Sequence, residues 1–185
     1  TALACANDRS ACLDAVRRRV ADRYPHPLCA AGSAFLALVL WHLLHGKPPR
    51  QAVSLALPSC SLPEDVEGAL RAAPSRIRDQ LTNASQVLPI LESVVWGLIT
   101  TASYQEAVTR VANLGGNTTT ATALVGDLAG VAHRRDGIPA GWRAQVHGTW
   151  PRRGGQLWRE KDFVDLAERL VQLGGHTGDN SRVMW

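Results

Sequence analysis

The sequence predicts an all-α domain, on three observations. Apolar residues recur at three- and four-residue spacings along most of the chain. Caps, prolines and glycines mark where the periodic stretches start and stop. No segment alternates apolar and polar residues as a half-buried strand would. Leu13, Val16 and Val20 follow a three-then-four spacing with Arg17, Arg18 and Arg19 outside, the pattern of an amphipathic helix. The apolar run over residues 28–44 is broken by His42 and includes Gly32 and Ser33. It falls short of the ~20 residues of a comfortable membrane span and is expected to be a buried central helix. His42 inside it is expected to be a hydrogen-bonded core residue. Gly46 and the Pro48–Pro49 pair end it.

A shorter helix follows. After Pro58, Ser61-Leu-Pro-Glu has the signature of a capping box, with Ser61 as cap and Glu64 three residues on. Pro74 separates two short segments, and Val87, Leu88, Leu91, Val94, Val95 and Leu98 make one apolar stripe. Ser103 is expected to cap the next helix, with Glu106 three residues later and Tyr104, Ala107, Val108, Val111 and Ala112 on one face. Leu114-Gly-Gly-Asn-Thr-Thr-Thr then reads as a tight turn feeding a helix N-terminus. Gly126 and Gly130 lie one turn apart on that helix, each costing roughly 1 kcal/mol against Ala, which implies a close helix–helix contact. Asp136-Gly-Ile-Pro-Ala-Gly-Trp is a loop and restart, and residues 149–155 form a polar connection. Phe163, Leu166, Ala167, Leu170 and Val171 mark a last helix. One domain is expected over residues 1–173, with a tail over 174–185 and no internal repeat.

A chain of 185 residues, 45% hydrophobic and 19% charged, can bury a sizeable core, which excludes global disorder. The net charge is +4, but the basic residues are scattered, and all except Lys47 and Lys161 are Arg. No basic stripe is interleaved with aromatic residues, so nucleic acid is not an expected partner. Arg17, Arg18 and Arg19, and the pair Arg152 and Arg153, read as solvated faces. Cys5, Cys12, Cys29 and Cys60 show no C-x-x-C spacing, consistent with reduced thiols in a cytoplasmic protein. Residues 1–12 have neither the basic opening nor the apolar centre of a secretory signal. Without one, the sequons at Asn83 and Asn117 read as chance matches, and no membrane is expected as a partner.

Residues 94–142 carry Val-Val-Trp-Gly-Leu, then Ala-Val-Thr-Arg-Val-Ala-Asn-Leu-Gly-Gly-Asn-Thr-Thr-Thr, then Val-Gly-Asp-Leu-Ala-Gly-Val-Ala and Gly-Ile-Pro-Ala-Gly-Trp. In order and spacing these segments resemble the C-terminal half of the ADP-ribosylglycohydrolase family. That family typically reads Leu-Gly-Gly-Asp-Thr-Asp-Thr, a small-residue helix, and Ile-Pro-x-x-Trp. Upstream, Arg23-Tyr-Pro-His-Pro-Leu resembles the family's Thr-His segment, with Tyr24 at the His position and His26 two residues on. The resemblance covers about residues 13–147. It implies an all-α, orthogonal multi-helix bundle around a cleft that, in active relatives, holds two Mg²⁺ ions and ADP-ribose. It also implies that the family's N-terminal part, with an early acidic metal-binding motif, is missing from this sequence. Exposed helix faces would then call for a partner chain or self-association.

The late metal loop has changed. Asn117 and Thr119 stand where the family has Asp, and only Thr120 matches, so the loop carries no negative charge. Mg²⁺ seeks hard oxygen ligands, carboxylates above all, to offset its dehydration. Asp127 lies two helical turns beyond Thr119, roughly 12 Å along the axis, too far to substitute. No metal cofactor is therefore expected unless carboxylates come from elsewhere. A helix N-terminus stripped of acids favours an anion instead. Gly115, Gly116, Asn117, Thr118, Thr119 and Thr120, with His26, are accordingly the expected ligand-binding residues, for ADP-ribose or another phosphate-containing small molecule. The competing reading of the loop is a helix cap that binds nothing. Trp142 is expected to serve packing. No Ser-His-Asp, Cys-His or paired-carboxylate set can be assembled, so no catalytic residue is assigned. The expected function is ADP-ribose binding without Mg²⁺-dependent hydrolysis. The alternatives are an active hydrolase completed by another segment or chain, or an interaction domain without a ligand.

Overall fold

The computed structural model describes residues 3–24, 26–150 and 155–175. After a 3₁₀ turn (Leu3–Cys5), α1 (Arg9–Ala21) starts where Asp8 Oδ1 accepts the Ala11 N–H at 2.9 Å. It buries Cys12 and leaves Arg17, Arg18 and Arg19 exposed, as the spacing predicts. α2 (Pro27–Leu44) is capped by His26, and by length and apolarity alone it could cross a membrane. Here its buried residues, Phe35, Leu38 and Val39 among them, lie in the core against α3 (Pro49–Ala56), α5 (Val87–Thr100) and α7 (Thr118–Gly137). Between α3 and α5 the chain makes a 3₁₀ turn (Leu57–Ser59), α4 (Glu64–Ala72) and two further 3₁₀ turns (Ala73–Ser75, Arg78–Gln80).

α5 is the hub. It touches α2, α3, α4, α6 (Tyr104–Ala112) and α7, and buries Ile90, Leu91, Val94, Val95, Trp96 and Leu98. Gly97 allows the closest of these approaches, because a Cβ there would lie 2.5 Å from Val111 Cγ2 of α6 and 3.4 Å from Val125 Cγ2 of α7. α6 starts as its sequence predicts. Ser103 Oγ accepts the Glu106 N–H at 3.1 Å, and Glu106 Oε2 accepts the Ala102 N–H at 3.0 Å. After α7 come the short α8 (Ala140–Ala144), a hairpin and α9 (Glu160–Gly175).

Several local expectations are corrected. Ser61 does not cap α4: its φ is +52°, the preceding residue of the helix is Pro63, and no side chain closes that end. Pro63 takes the cap position, and the left-handed backbone of Ser61 departs from the extended geometry of a capping residue. Glu64, Asp65 and Glu67 in the first turn balance the helix dipole instead. The polar connection expected over residues 149–155 joins two strands that the sequence does not signal: β1 (His147–Trp150) runs into it and β2 (Gln156–Arg159) follows it, paired antiparallel with His147 opposite Arg159. Neither strand has an apolar face of its own. The ribbon is anchored by Trp158, whose ring meets Phe163 of α9 edge-on at 5.5 Å. Arg152, Arg153 and residues 176–185 of the expected tail lie outside the described residues, and α9 runs to Gly175.

Gly126 and Gly130 do face a neighbouring helix, through Tyr104 of α6. A Cβ would lie 3.5 Å from the Tyr104 hydroxyl at Gly126 and 3.8 Å from its ring at Gly130, so both positions have room for Ala. His42 is buried as expected, but its Nε2 has no hydrogen-bond partner, and its ring instead meets Trp41 edge-on at 5.2 Å. Burial, then the charges of Arg9, His45 and Lys47, hold its pKa below the ordinary 6.5.

Two outcomes follow from this core. Gly97→Ala brings a methyl to 2.5 Å from Cγ2 of the fully buried Val111, and should destabilise the fold by about 1–3 kcal/mol in urea denaturation. For His42 the unfolded chain takes up its proton first, so its contribution is complete above pH 6.5 and is lost as the pH falls below it. His133, also lowered by burial, acts in the same direction. The urea midpoint should drop between about pH 7.5 and pH 5.5, and His42→Leu should narrow that drop.

Candidate functional site

The turn between α6 and α7 is built from two left-handed glycines, Gly115 (φ +74°) and Gly116 (φ +66°). Leu114 N–H and Gly115 N–H close the end of α6 on Val111 O and Ala112 O, each at 3.2 Å. The turn then meets Asn83, a fully buried residue in the segment before α5. Asn117 N–H donates to Asn83 O at 2.6 Å, while Asn83 Nδ2 donates to Val111 O at 2.8 Å. Gly116 passes so near that a Cβ would stand 2.6 Å from Asn83 O. Asn83 thus ties the end of α6 to the start of α7. Its sequon is inaccessible to modification, and only the tertiary fold reveals its role.

Asn117 is the N-cap of α7, with its Oδ1 accepting the Thr120 N–H at 3.4 Å. Thr122 Oγ1 donates to Thr118 O at 2.6 Å. Gly115, Gly116, Thr119 and Thr120 are exposed, while Asn117 and Thr118 are half-buried. The donor set does not suit a pair of Mg²⁺ ions. Its side chains are neutral, and the one amide oxygen is already engaged at the helix end. Among the described residues no group of three or more His, Cys, Asp and Glu side chains could hold a metal ion. Asp127 stays on its own turn of α7. The protein around it raises its carboxyl pKa although it is open to solvent on one side. Burial first, and the Asp127 charge second, raise the Tyr104 phenol.

Beside the loop a cavity of about 250 Å³ opens between α1, α2, α5 and α7. Thr120 and Leu124 come to it from α7, Ser33 and Cys29 from α2, and Tyr24 from the turn after α1. The two segments that carry the family resemblance therefore meet there, with Tyr24, 61% exposed, at the upstream position. Gly32 keeps α2 close to α5 at this point, since a Cβ would be 3.1 Å from both Leu91 and Val87. His26 is not among the lining residues. It caps α2, its Nδ1 accepting the Leu28 N–H at 3.2 Å, and it is exposed. Trp142 packs edge-on against Tyr104 at 6.0 Å and is 39% exposed.

A predominantly helical domain with a Gly-Gly turn starting a small-residue helix beside a cleft defines the class, and comparison specifies it. The ADP-ribosylglycohydrolase family model matches residues 1–180, so the chain belongs to that family. It is 27% identical over 150 residues to the ADP-ribosylarginine hydrolase Tri1 of Serratia proteamaculans, which covers 80% of this chain and 37% of that protein. The Tri1 protein of Pseudomonas putida is 29% identical over 96 residues, 52% of this chain and 25% of its own length. The chain thus spans well under half the length of these relatives.

The two glycines should respond differently to substitution. Gly115→Ala meets no neighbouring atom and costs only left-handed strain, about 1–2 kcal/mol. Gly116→Ala adds a collision with the Asn83 backbone and should destabilise by clearly more in the same thermal-melt comparison.

Proposed function

We propose that this chain binds ADP-ribose, or a related phosphate-bearing nucleotide, without Mg²⁺-dependent hydrolysis. The observation that carries the reading is the chemistry of the 115–120 loop. Its position at the start of α7 is that of the family's metal loop, yet Asn117 and Thr119 supply no charge. With no carboxylate there, the positive end of the α7 dipole is left to attract an anion. Hydroxyls of Thr118, Thr119 and Thr120 supply donors, and the glycines let a phosphate approach the backbone. The adjoining cavity, with Tyr24 at its edge and Ser33 and Thr120 in its wall, would take the less polar part of the nucleotide.

No step through a metal is derived, because the side chains present do not fit one. The alternative is that carboxylates from another segment or chain complete an active centre. That alternative is motivated by the fraction of the relatives' length which this chain spans. The four cysteines are free, which suits the reducing cytoplasm we propose as its location.

Calorimetric titration with ADP-ribose, with Mg²⁺ or with EDTA, tests the reading alongside an assay of ADP-ribose release from arginine-modified protein. Binding that EDTA leaves unchanged, with no release, is the expected result. Thr120→Val should weaken that binding several-fold by removing one hydroxyl contact. Release of ADP-ribose that EDTA abolishes would establish the alternative and overturn the proposal.

A further inference from the structure

Near its C-terminal end α7 is kinked at Arg134, whose backbone sits at φ +60°, ψ 173°. This is a region that essentially only glycine occupies without strain. An arginine there is costly, and glycine would relieve it. Among the described residues no hydrogen bond or ion pair holds the Arg134 guanidinium, whereas its neighbour Arg135 is committed to Glu160 at 2.8 Å. Strain of this kind persists where the side chain has work to do.

Arg134 and Val131 line two adjoining cavities. One, of about 250 Å³, lies between the end of α2, α7 and α9, and its walls include Leu44, Val164 and Ala167. The other, of about 270 Å³, runs along the turn after α2 and includes Lys47. Arg134 and Lys47 are both exposed; Arg134 lines both cavities, and Lys47 adds a second cation in the cavity that adjoins the apolar slot. Glu168 and Arg135 line the first cavity as well; Glu168 is exposed on α9, and Arg135 is paired with Glu160. We propose that this slot is a second ligand site, remote from the α6–α7 turn. It takes a small amphiphile with a carboxylate head at Arg134 and Lys47 and a short apolar tail against Val131, Val164 and Ala167. The cavity is smaller than the ~300–1,000 Å³ of drug-sized pockets, which limits the tail to a short chain.

The test is titration of the 185-residue chain with sodium octanoate, followed in amide NMR spectra, with n-octanol in parallel. Saturable shifts at Val131, Arg134, Val164 and Ala167 are expected, with octanol at least about tenfold weaker because it lacks the charge. Arg134→Gly relaxes the backbone and should raise the melting temperature while weakening octanoate about tenfold and leaving octanol unchanged. Lys47→Ala, at an exposed position that the fold does not need, should weaken octanoate in the same sense. Ala167→Phe, which fills the tail space, should exclude both probes. The proposal is overturned if octanoate shifts no resonance in the slot, if its shifts centre instead on the Tyr24 cavity, or if Arg134→Gly and Lys47→Ala both bind it as tightly as the parent.

Discussion

The hydrogen bond from Asn117 N–H to Asn83 O joins the start of α7 to the segment that leads into α5, the helix on which the rest of the core converges. Asn83 is itself held from the other side, by its amide on the last turn of α6. The end of α6, the start of α7 and a segment that precedes Val111 by 28 residues are thereby fixed at one buried point, which restrains the turn between α6 and α7. Gly116 is the condition for this contact, since any side chain there would enter the Asn83 backbone. Displacing the contact would shift the first turn of α7, and with it Thr120 and Leu124 in the wall of the cleft. The candidate site therefore inherits its rigidity from the core, and the loop contributes chemistry on a frame it does not have to build.

That chemistry is electrostatically spare. A helix N-terminus of twenty residues, capped by a neutral amide and lined by hydroxyls, keeps its positive potential. Carboxylates at the same positions would cancel that potential and recruit cations. On the function proposed above, two side-chain changes would shift the preference of this position from cations to anions. Asp127 does not restore the balance, because two helical turns of α7 separate it from the loop.

α7 carries unusual features at both ends for different reasons. At its start, positive φ falls on glycines, which adopt it freely; near its end, positive φ falls on Arg134. The first is a packing solution. The second is a strained residue whose side chain has no partner among the described residues, beside space that the core does not fill.

Much of the architecture was legible in the sequence because helix formation is signalled locally. The α5 stripe, the Ser103 cap with Glu106, the arginine face of α1 and the turn at Gly115 and Gly116 all rest on residues within a few positions of one another. The family resemblance rests on the same stretches. Local signals failed where a neighbour or a distant contact outweighed them. Pro63 took the cap position expected of Ser61, and β1 and β2 have no apolar alternation because their pairing and the Trp158–Phe163 contact hold them. Asn83 stood out only as a chance sequon, and His42 was expected to have a partner that the core does not offer to its Nε2. The sequence by itself determined which segments are helical and that the 115–120 loop is uncharged, since periodicity, capping and side-chain identity are properties of short stretches. Tertiary structure alone decided that Asn83 anchors the loop, that Tyr24 rather than His26 reaches the cleft, and that Arg134 is strained. Those facts depend on which distant surfaces meet, and burial energy sums over the whole core rather than over neighbours in the chain.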